Sequence, residues 1–184
     1  MSLLPSPAAE PSAPAASAIE GYDDVSSTLI LRSGWRRADP VIAADAKTFW
    51  SRLNLLSEGA DVDARAGEIV TAAYAGGLVV GVSTAVPRDV PLLRCRMAVF
   101  RLAVGPRFAR PEVFARMVKE TRGILEAWSL EHPDEGVMGV LTLGASGSAV
   151  EKLPPVRKDT GLSLAGFTEN GQRIMLAWFE HARV

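Results

Sequence analysis

The sequence predicts an α/β (α+β) domain whose mixed, mostly antiparallel sheet of about seven strands is flanked by helices. Two hairpins and one crossover predict it. EIVTAAYA and LVVGVSTAV are joined by Gly76-Gly77, and LSLAGF and QRIMLAWFEH flank Glu169-Asn170-Gly171. Gly-Gly and Asn-Gly supply the positive φ that tight hairpins require, so both pairs are antiparallel. Between them MAVFRLAV, the turn GPRFAR and the helical run PEVFARMVKETRGILEAW lead to a further buried run, GVMGVLTLG. Strand, helix and strand in that order make a crossover between parallel strands, which places the parallel pair mid-sheet.

The 184 residues fit a short tail followed by one domain. Residues 1–27 are dominated by Pro, Ala and Ser, with four prolines in the first fourteen positions. They read as a disordered tail with little to bury, and residues 28–184 as the domain. A net charge of −1 gives the chain no electrostatic reason to bind nucleic acid or an anionic membrane. No apolar run approaches the roughly 20 residues needed to span a bilayer, and no basic segment leads into a signal-like apolar stretch. The single cysteine, Cys95, excludes an internal disulfide, and two histidines form no cluster at metal-ligand spacing. No metal is therefore expected, and a reducing cytoplasm is the default setting.

Taken in order, TLILRSGW (28–35) is a first strand. Asp39 before Pro40 is a helix start, and Ile42, Ala46, Phe49, Trp50, Leu53 and Leu56 recur at helical spacing up to a stop at Gly59. DVDARAGEI adds a short helix capped by Asp61 or Asp63. After the Gly-Gly hairpin, the loop PRDVPLL breaks the sheet before a strand resumes near Cys95. In the long helix Val113, Phe114, Met117, Val118, Thr121, Leu125 and Trp128 share a stripe, while Arg116, Lys119, Glu120, Arg122 and Glu126 face water. Residues 145–161 are irregular, with one helical turn near Ala149–Leu153 stopped by Pro154 and Pro155. Trp50, Trp128 and Trp178 fit core positions, Cys95 a buried small hydrophobe, and His181 a strand edge.

A strand feeding directly into a helix N-terminus leaves free N–H groups and the positive end of the helix dipole beside a sheet edge, which is an anion site by construction. RLAVGPRFAR (101–110) is similar to a central strand ending in Val-x-Pro with a basic residue four positions after the proline, and LAGFTENGQRIMLAWF (164–179) supplies a Gly-Phe and a following strand. With the element order, these segments resemble the GNAT superfamily of acyl-CoA-dependent N-acyltransferases over residues 28–184. The resemblance implies an acyl-CoA, such as acetyl-CoA, as cosubstrate, and a small-molecule or peptide amine as acceptor. Its pyrophosphate would lie on backbone N–H groups at the start of the long helix. Its pantetheine arm would add like an extra strand along Leu102, Ala103 and Val104, where the two parallel strands splay apart.

In that family the phosphate loop reads Arg or Gln, two residues, Gly, one residue, Gly or Ala. Here the six positions are Arg110, Pro111, Glu112, Val113, Phe114 and Ala115. The first and last match, and Val113 replaces the middle glycine. Pro111 removes a donor and Glu112 brings a like charge toward a phosphate, whereas Arg107 and Arg110 attract one. If Val113 merely obstructs the cradle, Val113→Gly should raise CoA affinity. The family's Asn-x-x-Ala becomes Ser146-Gly147-Ser148-Ala149, which makes Ser146 a candidate contact.

Amine acylation needs a path for the amine proton, support for the oxyanion and often an acid for the thiolate. The resemblance implies a tyrosine four residues before Gly166-Phe167 as that acid, yet Leu162 stands there. No carboxylate lies on the fourth strand, where Arg101 is the nearest ionisable residue, so the catalytic residues are unassigned. Arg94, Arg96, Arg101, Arg107 and Arg110 form a basic series around this strand, with Arg94 and Arg96 on one face and Arg101 on the other. GASGS (144–148) lacks the full phosphate-loop, dinucleotide and hydrolase-elbow patterns. A strand of about ten residues at about 3.3 Å each also separates His132 from Ser146 by about 30 Å, so a serine hydrolase is rejected. Three readings stand: an N-acyltransferase; an inactive relative that binds a ligand or protein; and an assembly protein, such as a homodimer, joined through its apolar terminal strands.

Overall fold

Glycine conformation fixes both hairpins. Gly76 and Gly77 take φ of 55° and 78° between β2 (Ile69–Ala75) and β3 (Leu78–Val90). Gly171, at φ 76°, lies in the turn between β7 (Leu162–Phe167) and β8 (Arg173–Trp178), which Thr168 N closes by donating to Gln172 O at 2.8 Å. The computed structural model describes residues 29–144 and 150–182. The remaining elements are β1 (Ile30–Ser33), α1 (Pro40–Arg52), α2 (Val62–Gly67), β4 (Cys95–Val104), α3 (Pro111–Glu131), β5 (Val137–Gly144) and β6 (Val156–Arg157). They build one eight-stranded sheet in the order β1-β2-β3-β4-β5-β8-β7-β6. Among the described strands only β4 and β5 pair in parallel, as the crossover requires. The tail reading of residues 1–27 and the Ser146 assignment lie outside the described residues.

Several sequence expectations are corrected. The eighth strand is β6, two residues just after Pro154-Pro155 that pair with Leu162 and Ser163, in a stretch read as irregular. α1 stops at Arg52, not at Gly59, because Asn54 adopts the left-handed conformation (φ 49°) just past the C-cap. Leu53 and Leu56 still pack on the same core. Asp61, not Asp63, caps α2 by accepting from Ala64 N at 2.9 Å. PRDVPLL does not break the sheet. β3 continues through Pro87 to Val90, paired with Ala98 to Cys95. Ala85 N donates to Glu68 O at 2.9 Å, on the β2 side. Two residues on, the missing Pro87 N–H faces the same side, where β2 has already ended, so the ladder to β4 loses nothing.

α3 packs Phe114, Val118, Leu125 and Trp128 against Val70, Phe100, Val140, Met175 and Phe179 on one sheet face. It lies close because residue 81 is glycine: a Cβ there would sit 2.7 Å from Met117 Sδ. Beneath it Ser83 Oγ and Thr121 Oγ1 share a hydrogen bond of 2.7 Å, and Thr71 N donates to Ser83 Oγ at 3.2 Å. Arg122 and Glu126, expected to face water, are half-buried instead. Arg122 donates to Trp178 O at 3.0 Å, and the Glu126 carboxylate accepts from Glu180 N. His181 lies beyond β8 rather than on it, with Nε2 3.2 Å from Ser129 Oγ. Cys95 is only half-buried, and burial raises its thiol pKa.

The opposite face is covered unevenly. Over β2 and β3, α1 packs Ile42, Ala46, Phe49 and Trp50 against Ile69, Ala72, Val79 and Val82. Over β4, β5 and β8 lies a separate cluster of Met97, Leu141 and Leu176, flanked by Val99, Ile174 and Trp178. All of its members come from strands or the β3–β4 turn. No described helix is long and apolar enough to cross a membrane.

Candidate functional site

β4 and β5 pair only as far as Val99 and Leu141, although β4 continues to Val104 and β5 to Gly144. Past that point each follows its antiparallel neighbour: β4 stays with β3 through Val104–Gly81, and β5 with β8 through Gly144–Arg173. The sheet therefore splits in the middle at the C-terminal ends of its two parallel strands. Gly105 N donates to Val80 O at 2.7 Å, which fixes the phase of the β3–β4 ladder. Counting back by twos, the backbone groups of Ala103 and Arg101 face β3. Those of Leu102 and Val104, with Phe100, face the split. Of the three residues expected to pair with an added strand, Leu102 and Val104 offer their backbones, while Ala103 turns its own toward β3. The side chains of Leu102 and Val104 pack on the α3 face, and Ala103 on the α1 face.

The chain then turns tightly into α3. Pro106–Phe108 forms a 3-10 turn, with Phe108 N donating to Gly105 O at 2.8 Å and Arg110 N to Phe108 O at 2.8 Å. Arg110 is extended and is the N-cap, but no side chain caps the helix. Phe114 N donates back to Arg110 O at 3.1 Å. Because Pro111 has no N–H, the donors left at the helix mouth are those of Glu112 and Val113. Arg107, Arg110, Pro111 and Glu112 are exposed, and Ala115 is half-buried. Val113 is 1% exposed and packs with Val80 and Met117, while Phe114 joins the main core. The branched side chain at the glycine position thus points into the protein, not across the mouth. The one opposing charge in the first turn of α3 is Glu112.

A cleft of about 690 Å³ lies near the far end of α3, lined by Trp35, Arg36, Trp128 and His132 among others. Its aromatic wall is engaged internally: Trp35 and Trp128 meet edge to face at 5.4 Å, and the Arg36 guanidinium lies 5.0 and 5.5 Å from their ring centroids. It adjoins the carbonyl-rich, negative end of the helix dipole, the wrong end for an anionic cosubstrate. The split and the α3 N-terminus are the candidate site.

No family model and no curated protein sequence matches the chain. Solved structures do. An acetyltransferase of the GNAT family from Streptococcus pneumoniae aligns with a TM-score of 0.56 and 14% identity, over 82% of this chain and 99% of its own. The GNAT family N-acetyltransferase YhbS from Escherichia coli, in complex with CoA, aligns at 0.53 and 17% identity, over 83% of this chain and 82% of that one. An apo agmatine N-acetyltransferase aligns at 0.54 and 12% identity, over 82% and 99%.

The chain has the GNAT fold.

Within this GNAT fold, Leu162 opens β7 and is fully buried, so the position where the resemblance implies a tyrosine acid holds packing instead. Tyr74 does not replace it: the residue is buried on β2 and its hydroxyl donates to Asp45 Oδ2 at 2.9 Å. Burial first, and then that hydrogen bond, push its pKa up to about 12, far from what protonating a thiolate needs. Among the described residues no group of His, Cys, Asp and Glu is arranged to hold a metal. Sequence reasoning placed the arginines and the helix start but not Phe100, Val99, Leu141 or Leu143 around the split. Period-two alternation would locate them once the last β4–β5 rung is known, and no local residue pattern marks that rung.

Proposed function

We propose that the protein is an N-acyltransferase that moves an acyl group, acetyl foremost, from acyl-CoA to an amine. One observation carries the reading: the parallel pair ends at Val99–Leu141 while both strands run on, beside an uncapped helix N-terminus. The arm of a CoA can enter such a gap as an added strand on the backbones of Leu102 and Val104. Its pyrophosphate can lie at the α3 mouth on the Glu112 and Val113 N–H groups, with Arg107 and Arg110 supplying positive charge. CoA supplies the thioester. The amine nitrogen attacks the carbonyl carbon, a C–N bond forms, the C–S bond breaks, and the proton lost by nitrogen is balanced by the one the thiolate gains. With Leu162 buried and no carboxylate on β4, the protein's part is positioning, and protons travel through water. The fold shared with an agmatine N-acetyltransferase supports an amine acceptor, and a single half-buried cysteine suits a reducing cytoplasm.

Glu112, Pro111 and Leu162 favour a second reading, a GNAT-fold module that binds a ligand or partner without catalysis. Calorimetric titration with acetyl-CoA separates the two. Micromolar binding that is weakened by Arg110→Glu supports the transferase. No binding at millimolar acetyl-CoA overturns the transferase.

A further inference from the structure

We infer that the acceptor is an amine that also carries a carboxylate and an apolar body, the pattern of an apolar α-amino acid, and that Arg101 selects it. The inference rests on the transferase reading and concerns the face of the split opposite α3.

On β4, Met97, Val99 and Ala103 pack in clusters on that face, and strand alternation puts Arg101 there with them. Val99 and Leu141 form the last rung of the parallel pair. Two residues further along each diverging strand, about 6.6 Å on, stand Arg101 on one arm and Leu143 on the other. Arg101 has a side chain 63% exposed, and Leu143 is 40% exposed. Beneath this rung the buried cluster of Met97, Leu141 and Leu176 is flanked by half-buried Val99, Ile174 and Trp178, and no described α-helix belongs to it. An acceptor reaching the thioester from this side therefore passes half-buried Val99 and exposed Leu143 and meets a guanidinium at the mouth.

The charge there is not consumed internally. The ion pair of Arg101 is with Glu68 at 4.0 Å, and Glu68 is already held by Arg65 at 3.6 Å. A contact of that length from an exposed guanidinium is weak, whereas a substrate carboxylate can engage the guanidinium fork with two hydrogen bonds. Arg88, opposite Met97 in the β3–β4 ladder, adds a second exposed cation on the same face. A diamine or polyamine would bring more positive charge to two arginines. An amino acid brings a carboxylate to Arg101, an apolar side chain to Val99 and Leu143, and its amine to the split.

The test measures thiol release from acetyl-CoA with L-leucine and L-phenylalanine, with leucinamide, which lacks the carboxylate, and with putrescine. The expected result is turnover of the amino acids with leucinamide and putrescine poorer by about tenfold or more in kcat/KM, the size of one lost charged hydrogen-bond pair. Arg101→Gln should raise KM for leucine by a similar factor with a much smaller change in kcat, and Arg101→Lys should recover part of it. A merely structural role would not single out substrates that carry a carboxylate. Putrescine or leucinamide equalling leucine overturns the inference, as does an Arg101→Gln enzyme with unchanged KM. Calorimetry with acetyl-CoA on the same preparation distinguishes the two failures: binding without amino-acid turnover removes only this inference, and no binding removes the transferase reading with it.

Discussion

Glu112 and Val113 are adjacent yet oppose or tolerate an anion for different reasons. Glu112 is exposed in the first turn of α3, where its carboxylate already favours the helix dipole and would repel a phosphate. Glu112→Gln should therefore strengthen CoA binding by a few-fold while lowering the stability of the ligand-free protein by about 0.3–1 kcal/mol. Calorimetry and urea unfolding read the two effects, and affinity that does not rise would show that Glu112 stays clear of the phosphates. Val113 is a different case. Its side chain lies in the core with Val80 and Met117, so Val113→Gly leaves a cavity and adds a glycine to a helix, a loss of about 3 kcal/mol. It should not raise CoA affinity per folded molecule. A rise would place the Val113 side chain in the mouth after all.

At the scale of elements, Tyr74 ties β2 to α1 through Asp45, with the Arg32 guanidinium 4.9 Å from its ring centroid. Burial and that hydrogen bond raise its pKa to about 12, from an ordinary 10. The folded state thus favours the neutral phenol. The stability this contributes is whole below pH 10 and is lost as pH rises between 10 and 12, because the unfolded chain gives up its proton first. The chain has two tyrosines, Tyr22 and Tyr74, so tyrosinate absorbance should show one late step near pH 12. Tyr74→Phe should abolish the step and Asp45→Asn should move it lower. Both tyrosines titrating together near pH 10 would refute the assignment. Elements closed by local chemistry, such as the Gly-Gly and Asn-Gly hairpins or the Asp39–Pro40 helix start, were legible in sequence because the turn residues themselves dictate the backbone. The end of α1 was misread because Leu53 and Leu56 prolong the apolar period past Asn54, whose αL geometry stops the helix. Pro87 was misread because its tolerance depends on how far β2 extends, which is a property of a neighbour.

At the scale of the whole molecule, the arginines and the start of α3 were legible in the residues themselves, whereas the split was reached only through the family resemblance. It arises where β4 follows β3 and β5 follows β8, so it depends on four strands at once and leaves no signature in any one of them. Its phase nevertheless makes a sharp prediction. With Gly105 N bonded to Val80 O, the Ala103 amide belongs to the β3 ladder, whereas the Leu102 and Val104 amides face the gap. Saturating acetyl-CoA should slow hydrogen exchange at Leu102 or Val104 much more than at Ala103, whose protection is already set by β3. The ligand should also raise global stability by about 2.7 kcal/mol at a hundredfold excess over Kd, which thermal unfolding at matched concentrations would show. Equal protection of all three amides would mean that binding only rigidifies the sheet generally. Protection confined to Ala103 would mean that the ladder phase is the reverse, and that the cosubstrate does not enter the sheet as an added strand on these residues.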